Sequence, residues 1–357
     1  MKLTRLFLLA LSISLLASCS NDDNDNNDDG PKGAYEDGIF ILNEGNDISG
    51  GSVSFINEDL NTNTFVKDVY GPTNGNDYIG KYLQNIFFDN DKAYIISGGT
   101  NVINVVNRYT FKLVAKIETG LIKPRYGVVK DGKAYVTNAN TYWSKTNPVG
   151  NTDDFVAVIN LSTNKVESTI PLDGTANRIE LTNNKLYITE PYNSDKLVII
   201  NPSTNKIETK VTIGFGGDSM ETKDGTLYII RTPYGDRSEI AKVKLSDNTI
   251  TKITFPESLD GAKNLDIYNN KIYYTANTAV YAIDYTATTA STTPVFEYSS
   301  TSEYGKMYGF AVKNDKIYVS DGGDFASNSK AYIYNLNGTL IKELTVGLGP
   351  NGFYFND

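Results

Sequence analysis

The sequence predicts an all-β protein: a seven-bladed β-propeller with four-stranded blades, closed by joining the C-terminal inner strand to the N-terminal blade. Three observations carry this expectation. First, a short strand bearing an aromatic recurs at Phe40, Tyr94, Tyr135, Tyr187, Tyr228, Tyr273 and Tyr318, with spacings of 54, 41, 52, 41, 45 and 45 residues. That is the period of a four-stranded blade. Second, six of these strands follow a dipeptide of Asn, Asp or Gly, residues that tolerate the positive φ of a tight hairpin: Asn90-Asp91, Asp131-Gly132, Asn183-Asn184, Asp224-Gly225, Asn269-Asn270 and Asn314-Asp315. Third, the chain enters at the aromatic strand (Gly38-Ile39-Phe40-Ile41) and finishes on Gly349-Pro350-Asn351-Gly352-Phe353-Tyr354-Phe355, an inner strand with nothing after it. Six full units and one unit shared between the two ends make seven blades, and pairing the ends removes an open sheet edge.

Each unit reads in the same order. An inner strand such as Tyr126-Gly127-Val128-Val129-Lys130 precedes the hairpin, and the aromatic strand follows it. The third strand is apolar and β-branched, as in Val156-Ala157-Val158-Ile159-Asn160 and Leu197-Val198-Ile199-Ile200-Asn201. An explicit turn comes next (Leu161-Ser162-Thr163-Asn164-Lys165; Pro202-Ser203-Thr204-Asn205-Lys206), and then a more polar outer strand such as Val166-Glu167-Ser168-Thr169-Ile170. No sustained 3.6-residue apolar period competes with this pattern.

The residues before the repeat read as an address. Lys2 and Arg5 precede an apolar run from Leu6 to Ala17, too short to span a bilayer permanently, which ends in Leu16-Ala17-Ser18-Cys19. This resembles the lipobox of bacterial lipoproteins, which implies a signal peptide over 1–18 and lipidation of Cys19. Residues 19–37 then read as a tether: from Ser20 to Gly30 they contain no apolar residue and five Asp. Acidic residues directly after a lipidated cysteine resemble the surface-export signal of Bacteroidetes lipoproteins. That implies an outer-membrane, lipid-anchored protein facing the cell exterior. The propeller is expected over 38–357. Asp25, Asn27, Asp29, Gly30 and Glu36 match the spacing of an EF-hand loop, but Pro31 interrupts it and no flanking helices are encoded.

Composition excludes several function classes. The net charge is −9, and with the tether set aside the folded part is only mildly acidic, so no basic surface for nucleic acid is expected. The chain has no histidine, which removes the usual general base, the usual triad and the usual zinc or copper ligand. Its one cysteine, Cys19, allows no internal disulfide. No metal or cofactor is expected, and the propeller is expected to be monomeric.

The repeat is similar to the YVTN/YncE-like propeller repeat, in which a Tyr-Val strand and an Ile-Asp-x-x-Thr turn recur. Leu42-Asn43-Glu44-Gly45-Asn46, Gly51-Ser52-Val53-Ser54-Phe55, Gln84-Asn85-Ile86 and Lys123-Pro124-Arg125-Tyr126 resemble segments of Bacteroidetes surface-lipoprotein propellers. Some members of that group capture cobalamin for a TonB-dependent transporter. The resemblance therefore implies a corrinoid as ligand and such a transporter as partner.

A site is expected where loops open on one face, before the inner strands and after the aromatic strands. Those loops carry Arg125, Tyr126, Tyr142, Trp143, Asn177, Arg178, Tyr192, Arg231, Tyr234, Tyr308 and Phe325 as candidate ligand-binding residues. Tyr and Trp offer wide contact with few torsions to freeze, and Arg and Asn supply fixed hydrogen bonds. Trp143, the only tryptophan, sits in the unit with the 52-residue spacing. Such a face suits a large, flat, amide-decorated ligand or a glycan. For Arg125 and Arg178 a structural ion pair at the propeller mouth is an equal expectation. A surface binding protein is favoured over an enzyme. The alternatives are an interaction scaffold and a histidine-free, metal-dependent hydrolase or lyase drawing on Asp218, Asp236, Asp321 and Asp324.

Overall fold

The computed structural model describes residues 32–62, 64–141, 145–146 and 152–357. The expected signal peptide, Cys19, the tether up to residue 31, and the site candidates Tyr142 and Trp143 lie outside the described residues.

Seven sheets of four antiparallel strands form the ring. Their inner strands are Pro350–Asn356, Leu83–Asp89, Pro124–Lys130, Arg178–Thr182, Gly217–Lys223, Lys263–Tyr268 and Phe310–Lys313. These belong to blades 1 to 7 in that order. Blade 1 is the shared one: Gly38–Asn43 pairs with Pro350–Asn356 on one side, from Gly38↔Asn356 to Asn43↔Pro350, and with Ser52–Asn57 on the other. The expected closure and blade count are therefore what the structure shows. Two outer strands are short, Phe65–Val66 in blade 1 and Phe296–Glu297 in blade 6.

The hairpin dipeptides behave as their chemistry requires. Asn183 and Asn184 have φ of 48° and 58°, Asp224 and Gly225 of 47° and 72°, and Asn269 and Asn270 of 46° and 61°. Two successive positive φ values match the right-handed twist of the flanking strands.

The seven repeat aromatics are all buried, from 0% exposure for Phe40 and Tyr94 to 5% for Tyr228. They fill the seams between blades. Tyr94 stacks on Phe87 at 4.8 Å and packs with Ala134, Val136 and Ile159 of the next blade. Tyr318 of blade 7 meets Phe353 and Phe355 at 5.6 and 5.2 Å, sealing the last seam against the closing strand. Burial of one such ring is worth about 2–3 kcal/mol by transfer, so the seams supply much of the cohesion.

Strand polarity divides the molecule into two poles. All hairpins between inner and aromatic strands lie at one pole, together with Gly38 and Asn356. The loops after the aromatic strands and the connections between blades open at the opposite pole, which is the loop face. Among the described residues, no helix is long and apolar enough to cross a membrane.

Candidate functional site

The inner strands do not enter the ring as regular ladders. In five of the seven blades the pairing with the aromatic strand slips at its first residues, at the loop face. A bulge places an extra residue there and re-aims side chains. The residues so placed are Gln84, Arg125 with Tyr126, Asp218 with Ser219, Asn264, and Asn351. Together with Arg178 and Tyr308 they surround the entrance of the central channel.

Arg178 and Tyr126 are stacked together at this entrance. The guanidinium carbon lies 4.2 Å from the Tyr126 ring centroid, and Nε donates to Asp218 Oδ1 at 2.8 Å. Stacking on an aromatic face and pairing along one edge fix the guanidinium plane. Both the expected ion pair and the expected position at the mouth thus apply to Arg178. Burial raises the Tyr126 phenol above its ordinary range, with the Asp218 carboxylate adding to the shift. Tyr308 donates to Glu44 Oε2, and Phe325 packs edge-on against Tyr308 at 4.9 Å. Burial raises the Glu44 carboxyl, against the opposing effect of the Tyr308 hydrogen bond.

Beside the entrance, over blades 4 to 6, lies a cavity of about 1050 Å³. Tyr192, Phe215 and Tyr234 are exposed on its walls, at 82%, 53% and 106%. Asp218 and Lys263 form its inner end, and burial lowers the Lys263 ammonium despite Asp218 and Asp321. Three of its lining residues are clipped together: Arg237 donates through Nη1 to Asp260 at 2.8 Å and through Nη2 to Glu257 at 3.1 Å. On the other side of the entrance a cavity of about 330 Å³ is lined by Glu44, Tyr82, Gln84, Lys123 and Arg125.

Arg231 takes a different part from the one its sequence position suggests. It is 5% exposed, ion-paired with Glu239, and its Nε and Nη2 donate to the Phe215 carbonyl at 3.1 and 2.8 Å. It braces the loop that carries Phe215 and presents no free edge to a ligand. Asn177 is likewise embedded: its backbone N–H donates to Thr189 O at 2.9 Å, and its Oδ1 is buried without a partner. Tyr126, Arg178, Tyr192 and Tyr308 come together at the entrance with Phe325 behind Tyr308, Arg125 lines the smaller cavity, and Tyr234 stands on the large cavity's outer wall.

Phe215, Arg237 and Glu44 were not selected as site residues by the sequence. Phe215 had a readable signal, an aromatic inside Ile213-Gly214-Phe215-Gly216-Gly217, where glycines leave it nothing to pack against. Glu44 gains its place only through ring closure, its N–H donating to Gly349 O at 2.9 Å.

Deeper in the channel, Glu180, Glu221 and Asp266 lie two residues beyond Arg178, Ser219 and Asn264 on the same three strands. Glu221 Oε2 accepts from Ile267 N, and Asp266 Oδ2 from Val312 N at 2.8 Å. Burial raises both carboxyls, and the neighbouring Asp266 carboxyl raises Glu221 further. Burial alone pushes Glu180 up to about 7. Among the described residues, no three His, Cys, Asp or Glu converge as a metal-ligand set.

A family profile described as Domain of unknown function (DUF5074) matches residues 37–356. No curated protein matches the sequence. Among solved structures, the chain is similar to a quinonprotein alcohol dehydrogenase-like protein from Bacteroides thetaiotaomicron, at 16% identity and a TM-score of 0.68, over 90% of this chain and 79% of that one. It is also similar to hydrazine synthase of Kuenenia stuttgartiensis, at 15% identity and a TM-score of 0.61, over 82% and 91%. Apo AztD from Citrobacter koseri resembles it at 13% identity and a TM-score of 0.53, over 88% and 96%. At these identities the likeness is one of fold.

Proposed function

We propose that this chain, which belongs to the DUF5074 family, is a cell-surface binding protein that captures a corrinoid and passes it to a TonB-dependent outer-membrane transporter. The observation that carries the reading is the cavity of about 1050 Å³ on the loop face, with Tyr192, Phe215 and Tyr234 exposed on its walls. Soluble proteins seldom leave several large aromatics uncovered around one concavity unless something binds there. Its size accommodates a macrocycle, and the polar groups at its inner end face hydrogen-bonding substituents. Catalysis is not part of the proposal: without histidine, the carboxylates at the mouth are engaged in pairs and clips. Lipidation at Cys19 and display on the outer membrane complete the reading.

Isothermal titration of the soluble chain from Lys32 onward with cyanocobalamin, then cobinamide, tests it. One-to-one heat that weakens about tenfold in Tyr234→Ala or Phe215→Ala is the expected result. Absence of heat with both corrinoids refutes the corrinoid assignment and directs the titration to glycans, which stack on the same aromatics.

A further inference from the structure

Below the entrance, the channel itself forms a third cavity of about 200 Å³, lined among others by Arg178, Ser219, Asn264, Asn351 and Tyr354. Its hydrogen-bonding groups are unevenly used. Arg178 spends Nε on Asp218, while its two Nη nitrogens have no acceptor among the described residues. Asn264 commits Nδ2 to Thr275 Oγ1 at 3.0 Å and Met307 O at 2.9 Å, and Asn351 commits Nδ2 to Leu83 O at 2.6 Å. Those commitments fix how both amides are turned, and neither Oδ1 accepts a hydrogen bond; Asn351 Oδ1 and Ser219 Oγ are buried without any partner. The cavity therefore offers a planar pair of donors on one side and amide oxygens on the other.

Charge decides which ligand group fits. Asp218 already offsets the Arg178 cation. Glu180, Glu221 and Asp266 follow two residues further along the same strands, on the same face and so about 7 Å deeper. An anion seated on Arg178 would lie beside the Asp218 carboxylate that already pairs with it, and a bare cation would meet the guanidinium. A neutral group that both accepts and donates matches the Arg178 fork and the two amide oxygens.

We propose that the channel cavity binds a primary carboxamide, its oxygen accepting from the Arg178 Nη fork and its NH₂ donating to the oxygens of Asn264 and Asn351. The inference rests on the reading of the loop face as a ligand-binding face, and it names the chemical group that enters the channel. The large cavity would then hold the body of the ligand while one amide arm reaches past Asp218.

Propionamide and propionate, identical in shape and different in charge and donors, are the probes. Each is titrated into isotope-labelled chain from Lys32 onward, a segment whose ring closes on itself, while the Arg178 Nε–H resonance and the side-chain amides of Asn264 and Asn351 are followed by NMR. The expected result is a saturable shift with propionamide, at least tenfold weaker with propionate, and lost in Arg178→Lys, which keeps the charge but not the fork. Should that variant not fold, the comparison of the two probes on the unaltered chain decides alone. Equal or tighter binding of propionate overturns the proposal in favour of an anion site. No saturable shift with either probe overturns it in favour of a channel holding water only. Cobinamide heat without any response at these three resonances would leave the capture reading standing and sink the amide site. A propionamide response without corrinoid heat would do the reverse.

Discussion

Stability of this protein should fall between about pH 5 and about pH 8, and Glu180→Gln should flatten part of the fall. The chain has no histidine, so nothing that ordinarily titrates in this window contributes. The carboxylates held below their ordinary range, such as Asp77 and Asp247, finish ionising under pH 5. What remains are buried carboxyls, of which Glu180 is the simplest, raised from 4.5 to about 7 by burial alone. A group whose pKa is higher folded than unfolded adds stability that is fully present below its unfolded pKa. That stability disappears as the pH rises through the folded one. At about 1.4 kcal/mol per unit, the whole displacement is worth about 3 kcal/mol, and about 2.5 kcal/mol of it falls within the window. Partial water access to the channel makes that a ceiling. The assay is urea unfolding of both proteins at the two pH values. The expected result is a loss in the unaltered chain exceeding that in Glu180→Gln by about 1–2 kcal/mol. Equal losses in the two proteins, or greater stability at the higher pH, would refute the argument from burial.

Two further outcomes follow from the closure and the hairpins. Truncation after Gly349 removes the strand that pairs with Gly38–Asn43 and buries Phe353, so the shortened chain should lose its single cooperative thermal transition, followed by circular dichroism; a retained transition would mean the ring does not depend on closure. Asn270 sits at φ 61°, where Asn270→Ala should cost about 1 kcal/mol and Asn270→Gly almost nothing in urea unfolding; equal effects of the two would show that the hairpin conformation is not what the position selects for.

The blades were legible because each carries its own punctuation. An Asn or Asp pair, an aromatic and a β-branched third strand recur at a fixed distance, and local chemistry alone sets their conformations. The loop face was legible for the same reason, since strand polarity assigns every loop to one pole. The details of the mouth were not. Whether Arg125 or Gln84 faces the mouth depends on a one-residue slip in pairing, and no residue type marks those slips. Arg231 reads like a ligand contact by its place after an aromatic strand, yet Glu239 on the third strand captures it, a partnership that only the folded pairing creates. Conversely, the carboxyl layer of Glu180, Glu221 and Asp266 is spread over 87 residues of sequence and joined only by the ring. Length variation hid the outer strands of blades 1 and 6, where two residues suffice.

Ring closure also determines how the molecule bears load. A pull applied to the residues preceding Gly38 acts along the axis of Gly38–Asn43, which is hydrogen-bonded on both flanks, to Pro350–Asn356 and to Ser52–Asn57. The force meets both ladders in shear, so their bonds share the tension instead of parting one after another. Asn356 reinforces the same point by donating to the carbonyls of Tyr35 and Arg108, while Arg108 Nη2 donates to Asp357 O at 2.8 Å. The propeller's N-terminal strand is thus held on both flanks at the pole opposite the loop face.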